Sequence, residues 1–256
     1  MPIPTDLLNA VIAAPNTDTP RADVAKWFRN SGQQERAHFI DDQLYLPYIP
    51  KGNVDANVLN YKLENSLKKH GQTWCQFDEI LPLVDDFRFY RGFVELVKLS
   101  AESFLSHGDT LFTKAPIRHL DLTDVKPVAK DLFNSKLLSN IQSLSIGYNE
   151  LTDEHMELMA ASPHLQNLKW LSLMMNDISL NGAEELAKSE YLDNLNVVIF
   201  YGNQVDPTEV LIDDQNVILE QYLPPEGQEI EARQGHINWL HKNVTLYSDY
   251  PPSRFL

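Results

Sequence analysis

The chain has 256 residues, 43% of them apolar and 22% charged, with a net charge of −15. That much apolar surface can offset chain entropy, so one large or two small folded domains are expected rather than disorder. The charge repels nucleic acid and anionic membrane, no apolar run approaches the ~20 residues that cross a bilayer, and a single cysteine, Cys75, excludes an intrachain disulfide framework and a cysteine-rich metal site.

The opening MPIPTDLLNAVIAAP has no basic start and carries Asp6 ahead of its apolar stretch. It does not read as a secretory signal, and the expectation is a cytoplasmic protein or one delivered without an N-terminal signal. Residues 1–90 then read as a small helical domain. TDLLNAVIAAP and TPRADVAKWFRNSG have amphipathic spacing, with Thr5 and Thr19 or Asp18 as caps and Gly32 as a stop. A third helix runs through ERAHFIDDQLYL, and NVLNYKLENSLKKHG suggests a fourth ending at Gly71. Cys75, beside Trp74 and without a basic or histidine context, reads as core rather than nucleophile.

From residue 91 to 210 the chain repeats. IRHLDLTDV, IQSLSIGYNEL, LKWLSLMMNDI and LNVVIFYGNQV align on Leu120, Leu144, Leu171 and Val198, and Asn149, Asn176 and Asn203 recur at a spacing of 27. FVELVKLSAESF, with Val97 and Leu99, begins the series. Alternation along a strand points Leu120/Leu122, Leu144/Ile146, Leu171/Leu173 and Val198/Phe200 to one side, and the asparagine supplies hydrogen bonds where the strand bends away. TDEHMELMAASPHL and SLNGAEELAKSEYL read as the intervening helices, capped by Thr152 and by Ser179 or Asn181. The fold class expected is α/β: a leucine-rich-repeat solenoid of parallel strands plus helices, behind an N-terminal helical domain and ahead of a C-terminal capping segment, 211–256.

The N-terminal part also carries a family likeness. AVIAAPNTDTPRADVAKWFRNSGQQERAHFIDDQLYL resembles the bacterial repeat-companion domain that precedes leucine-rich repeats, through Asp18, Pro20, Arg21, Ala25, Trp27, Gly32, Arg36, Phe39, Ile40 and Gln43. The segment 91–122 is similar to the stretch that joins that domain to its repeats. Lys26 departs from the pattern, standing where the family tends to have an acid before the tryptophan. The resemblance implies a bacterial source and an interaction role, with no catalytic activity to carry over.

Chemistry is sparse elsewhere. There is no P-loop, dinucleotide fingerprint or GxSxG elbow. His236 and His241, with Asp249 nearby, fall short of a zinc ligand set and read as local capping. His155 reads as part of a solvated helix face, and 205–231 is acidic without a calcium-loop pattern. No catalytic, cofactor or metal residue is therefore assigned.

A binding face is. Residues between the anchors fall on the opposite side of the sheet: polar Asp121 and Ser145 in the early rungs, then Trp170, Ser172 and Met174, and after them Val197, Ile199 and Tyr201, the later rungs being the apolar ones. Such an apolar patch has hot-spot composition. The other reading is that the tail after Val205, with Tyr222, Trp239, Leu240, Tyr247, Tyr250 and YPPSRFL, covers this face or caps the last repeat. The first ninety residues carry a net charge of −3 and the remainder −12, which favours a basic protein partner or serves solubility alone. The function expected is a non-enzymatic protein-binding scaffold, in its concrete form an immunity or antitoxin protein that neutralises a basic toxin. The alternative is a structural or regulatory module of a larger assembly or homodimer.

Overall fold

The computed structural model describes residues 2–50, 52–77, 80–208 and 223–240. Among them are nine α-helices and six strands in an α/β arrangement: α1 (Thr5–Ala13), α2 (Thr19–Asn30), α3 (Gln34–Tyr45), α4 (Val54–Trp74), β1 (Asp86–Tyr90), β2 (Phe93–Ser100), α5 (Ala101–Lys114), β3 (His119–Thr123), α6 (Ala129–Phe133), β4 (Ser143–Ser145), α7 (Asp153–Ala160), β5 (Trp170–Ser172), α8 (Leu180–Ala187), β6 (Val197–Ile199) and α9 (Pro225–Gln234). The strands lie in chain order in one sheet, and the pairs β3–β4, β4–β5 and β5–β6 are parallel. No helix of the described residues is long and apolar enough to cross a membrane. The chain forms two compact units, one of Met1–Val97 with His107–Ile117 and one of Lys98–Ser106 with Arg118–Leu256.

In the first unit the expected helices form, and β1 is added by a turn that the helical reading of 1–90 did not contain. Ile3, Val11, Val24, Ala25, Phe28, Ala37, Ile40 and Phe93 make the core. Residues Arg91 and Gly92 join β1 to β2 with φ of 47° and 89°, the left-handed pair of a tight hairpin turn. A Cβ on Gly92 would sit 2.7 Å from Ile40, so glycine is required there for space as well as for φ. Asp18 occupies the N-cap position of α2 without capping it; its carboxylate instead meets Arg91 at 3.3 Å. The fourth helix does not stop at Gly71, which is buried inside α4, but runs to Trp74. Trp74 packs on Phe39 with ring centroids 5.0 Å apart, and this contact holds the last turn in place. Cys75 follows, buried.

Two arginines hold this unit on the hairpin turn. Arg21 is fully buried, 2.7 Å from the equally buried Glu95, and donates to the carbonyls of Pro15, Tyr90 and Arg91. Arg36 donates to the Gly92 carbonyl at 2.7 Å. Its guanidinium lies 4.8 Å from the Trp74 ring centroid and 5.4–5.8 Å from Phe28, Phe39, Phe89 and Phe93. Burial pushes Arg36 down to about 9, and the five ring faces favour the cation, so it stays charged at neutral pH. Gln43 closes the clamp, accepting from the Gly92 N–H at 2.7 Å and donating to the Phe89 carbonyl.

The 27-residue spacing of the second unit is visible in its hydrogen bonds. Leu120, Leu144, Leu171 and Val198 stand in register, as do Asp121, Ser145, Ser172 and Ile199. Asn149, Asn176 and Asn203 each donate back to the preceding rung, at Leu122, Ile146 and Leu173. Each also accepts from preceding-rung backbone, from Val125, Leu151 and Ile178 respectively. The residue ahead of this position is left-handed in every rung: Asp124, Tyr148, Met175 and Gly202, with φ of 53°, 57°, 53° and 79°. Two further contacts share the period. Ser162 and Ser189 donate to the Phe133 and Ala160 carbonyls, and Asn167 and Asn194 donate to those of Ser139 and Gln166. The helices are fixed by their caps. Thr152 and His155 form a capping box on α7, giving His155 a structural task in place of the solvated face expected. Ser179 caps α8 and is itself held by Asp153, which accepts from its N–H at 2.8 Å and its hydroxyl at 2.6 Å.

Two stability outcomes are expected. Arg21→Ala removes the nearer partner of buried Glu95, leaving Arg91 at 3.6 Å, and unmakes bonds to three carbonyls; it is expected to cost about 3–5 kcal/mol in urea unfolding, of which the apolar pair Arg21→Met with Glu95→Leu recovers only the part owed to the carboxylate. Asn176→Ala, which leaves four close backbone bonds unmade, is expected to cost about 2–4 kcal/mol. Asn176→Asp keeps the acceptor and loses the donors, and is expected to fall between.

Candidate interaction surfaces

The sheet face assigned from the sequence is not open. Asp121, Ser145, Trp170, Ser172, Met174 and Val197 are buried, and Ile199 is half-buried. Only Tyr201 is exposed, at 43%. The alternation of side chains is as expected, but both faces of β3 to β6 are covered in the folded chain, so an anchor such as Leu171 and its neighbour Trp170 are equally dry. On this face Lys98 meets Asp121 at 3.2 Å. Among the described residues no hydrogen bond reaches Ser143 Oγ, Trp170 Nε1 or Ser172 Oγ.

Part of the expected cap is present. The helix α9 lies against α8 through Glu184, which receives bonds from Arg233 and Gln234, both at 2.9 Å. Trp239 and Leu240 are buried, and the Trp239 ring is 5.7 Å from Phe200. The expectation that the tail covers the sheet face falls largely on residues 209–222 and 241–256, which lie outside the described residues, as do His241 and Asp249. His236 lies 3.1 Å from Glu231. Among the described residues no group of three or more His, Cys, Asp or Glu could hold a metal ion.

Two exposed surfaces are present, the first sharing only Tyr201 with the face assigned from the sequence. The first arises from the left-handed residues at the strand ends. Tyr148 is 68% exposed and Met175 40%. Met175 reaches over Gly202, where a Cβ would come 2.4 Å from its sulfur. With Tyr201 these make a strip one rung apart, flanked by exposed Asp124, Glu150 and Asp177. Glu150 pairs with Lys126 at 3.3 Å and Asp177 accepts from Gln204. The sequence signal was there: positions 124, 148, 175 and 202 are in phase, but their residue types differ. The second surface lies in the first unit. Tyr45, Tyr48, Val54, Val58 and Tyr61 are all exposed, and Tyr45, Tyr48 and Val58 line a cavity of about 410 Å³. Val54, Val58 and Tyr61 share one face of α4.

The chain matches no family model, no characterised protein and no solved structure in the three comparisons made.

The α8–α9 contact generates a pH outcome. Burial pushes Glu184 up, but the bonds from Gln234 and Arg233 and the charges of Lys188 and Arg233 outweigh it and hold it below the usual carboxylate range. A depressed folded-state value adds stability above the unfolded value of ~4.3, and this is lost as pH falls through the folded one. Amide exchange in α9 is therefore expected to accelerate below about pH 4 relative to α7. In Glu184→Gln the same acceleration is expected to be present already at neutral pH.

Proposed function

We propose that this chain is a leucine-rich-repeat protein with an N-terminal repeat-companion domain, and that it is a non-enzymatic scaffold binding a basic protein on the strip of Tyr148, Met175 and Tyr201. The solenoid reading is supported by the 27-residue recurrence of the asparagine, serine and left-handed positions. The family reading is supported by the places of Arg21, Arg36, Ile40 and Gln43, all of which meet the β2 segment or its turn.

The observation that carries the binding reading is the backbone at Tyr148 and Met175. A left-handed conformation costs an L-residue about 1–2 kcal/mol, and the last rung avoids the cost with Gly202. Tyr148 and Met175 bear it while their side chains stay in solvent. Asp124 and Glu150 are left-handed as well, so what sets Tyr148 and Met175 apart is that an aromatic ring and a thioether, side chains suited to contact, are held at the surface there. Acid on both sides selects a basic partner and speeds its approach. In its concrete form the scaffold is a bacterial cytoplasmic immunity or antitoxin protein that neutralises a basic toxin. The second reading, a structural or regulatory module that pairs with its own copy, would use the same strip, since exposed apolar residues also serve self-association.

Tyr148→Gly with Met175→Gly separates binding from stability. The pair is expected to leave the urea midpoint unchanged or raised, because glycine is unstrained at positive φ. It is expected to abolish quantitative capture of a basic protein from the source organism, the product of an adjacent reading frame first. Equal capture by wild type and variant would falsify the assignment. A dimer in light scattering that the variant loses would favour the module reading.

A further inference from the structure

The first unit carries an exposed groove that its own core does not use. The first nine residues of α4, Val54 to Lys62, include none that is buried. Short helical segments are ordinarily stabilised by packing an apolar face, yet here Val54, Val58 and Tyr61 are 63–70% exposed. Of these only Val58 lines the groove; the rings that line it are Tyr45, 60% exposed, and Tyr48, 73% exposed. The cavity between is lined by these rings with Ile49, Pro50, Asp55 and Val58. Its walls are two helices and a short turn, so they offer no strand edge to which a partner could add main-chain hydrogen bonds. Strand addition is thereby excluded, and an occupant binds through ring and aliphatic faces with its backbone donors absent or already satisfied. Extended proline-rich chain meets that condition, since prolines lack an N–H and their rings pack flat on tyrosine.

Charge narrows the occupant further. Two carboxylates line the groove. Asp42 is neutralised by Lys62 at 2.6 Å, whereas no ion pair is made by Asp55 among the described residues. One negative charge is thus left at the α4 end of the groove. We propose that this groove is a docking site for an extended proline-rich segment of a partner protein that carries an arginine or lysine, the prolines lying on Tyr45 and Tyr48 and the cation meeting Asp55. The site is separate from the Tyr148–Met175–Tyr201 strip and does not depend on the reading given to it.

The test is fluorescence anisotropy with the full chain and a labelled ten-residue proline-rich peptide bearing one arginine. Saturable binding with a Kd below ~1 mM is expected, weakened at least tenfold by Tyr48→Ala, which exposes no core. Replacing the peptide arginine by glutamate is expected to weaken binding to the wild type and to strengthen it to Asp55→Lys. Circular dichroism of both variants is expected to match the wild type, as both sites are on the surface. Absence of saturation, or isotherms that neither variant changes, overturns the proposal. So does a wild-type dimer in light scattering that Tyr48→Ala dissolves, because the occupant would then be a second copy of this chain.

Discussion

The second unit depends on one side chain repeated three times. Where each strand ends, the backbone turns away from the sheet and leaves N–H and C=O groups with no partner in a region that water does not reach. A carboxamide is the one short side chain with two donors and an acceptor. Asn176 uses all of them: its carbonyl oxygen takes the N–H of Asn149 and Leu151, and its amine meets the carbonyls of Ile146 and Leu173. The remainder follows geometrically. For the carboxamide to reach back to the previous rung, the residue ahead of it must reverse the chain with a positive φ. That reversal carries the side chains at 124, 148 and 175 away from the sheet, toward solvent. The exposed strip is thus a by-product of the same bonds that stack the rungs. Residue type varies there, within the limit that the methionine at 175 lies over the glycine at 202.

The ladder also fixes why the strip, and not the sheet face, is the surface left for contact. Strand residues on either face lie among neighbours one rung away, and in β3 to β6 both faces are covered. The strip keeps its acids in water, where an exposed pair such as Lys126 with Glu150 contributes at most ~1 kcal/mol. Those carboxylates therefore remain available to an incoming cation at little cost.

In the first unit the organising element is a turn rather than a ladder. The residues that carry the family resemblance are scattered over α2 and α3, yet Arg21, Arg36, Ile40 and Gln43 converge on two residues, Arg91 and Gly92, or on the strand after them. This gives the motif a physical meaning. An arginine fork can hold several carbonyls at once, and a hairpin turn presents several carbonyls with no ladder partner. Arg36 does so among five rings, where a lysine would have to be dehydrated at greater cost. The pattern is legible in sequence because each position admits so few residue types. Its target was not legible, because the turn lies about fifty to seventy residues away and β1, with alternating Phe87 and Phe89, resembles any short apolar run.

The same distinction separates what could and could not be read of the surfaces. Periodicity identified the anchors, the asparagines and the helix caps at Thr152 and Ser179, since each is a local requirement repeated in phase. It could not tell which faces would be covered. Trp170 and Val197 read as an open hot spot and are buried, and the exposure of Val54, Val58 and Tyr61 was not read at all. Both have one cause: hydrophobic patterning records a preference to leave water, and says nothing of what does the covering. A backbone requirement is more informative. The turn is left-handed at Asp124, Tyr148, Met175 and Gly202, ahead of a valine as well as ahead of the asparagines, so its conformation belongs to the repeat and not to the residue that occupies it. The tyrosine at 148 and the methionine at 175 are therefore choices the backbone does not dictate, and hydrophobic patterning along the strands could not place them at the surface.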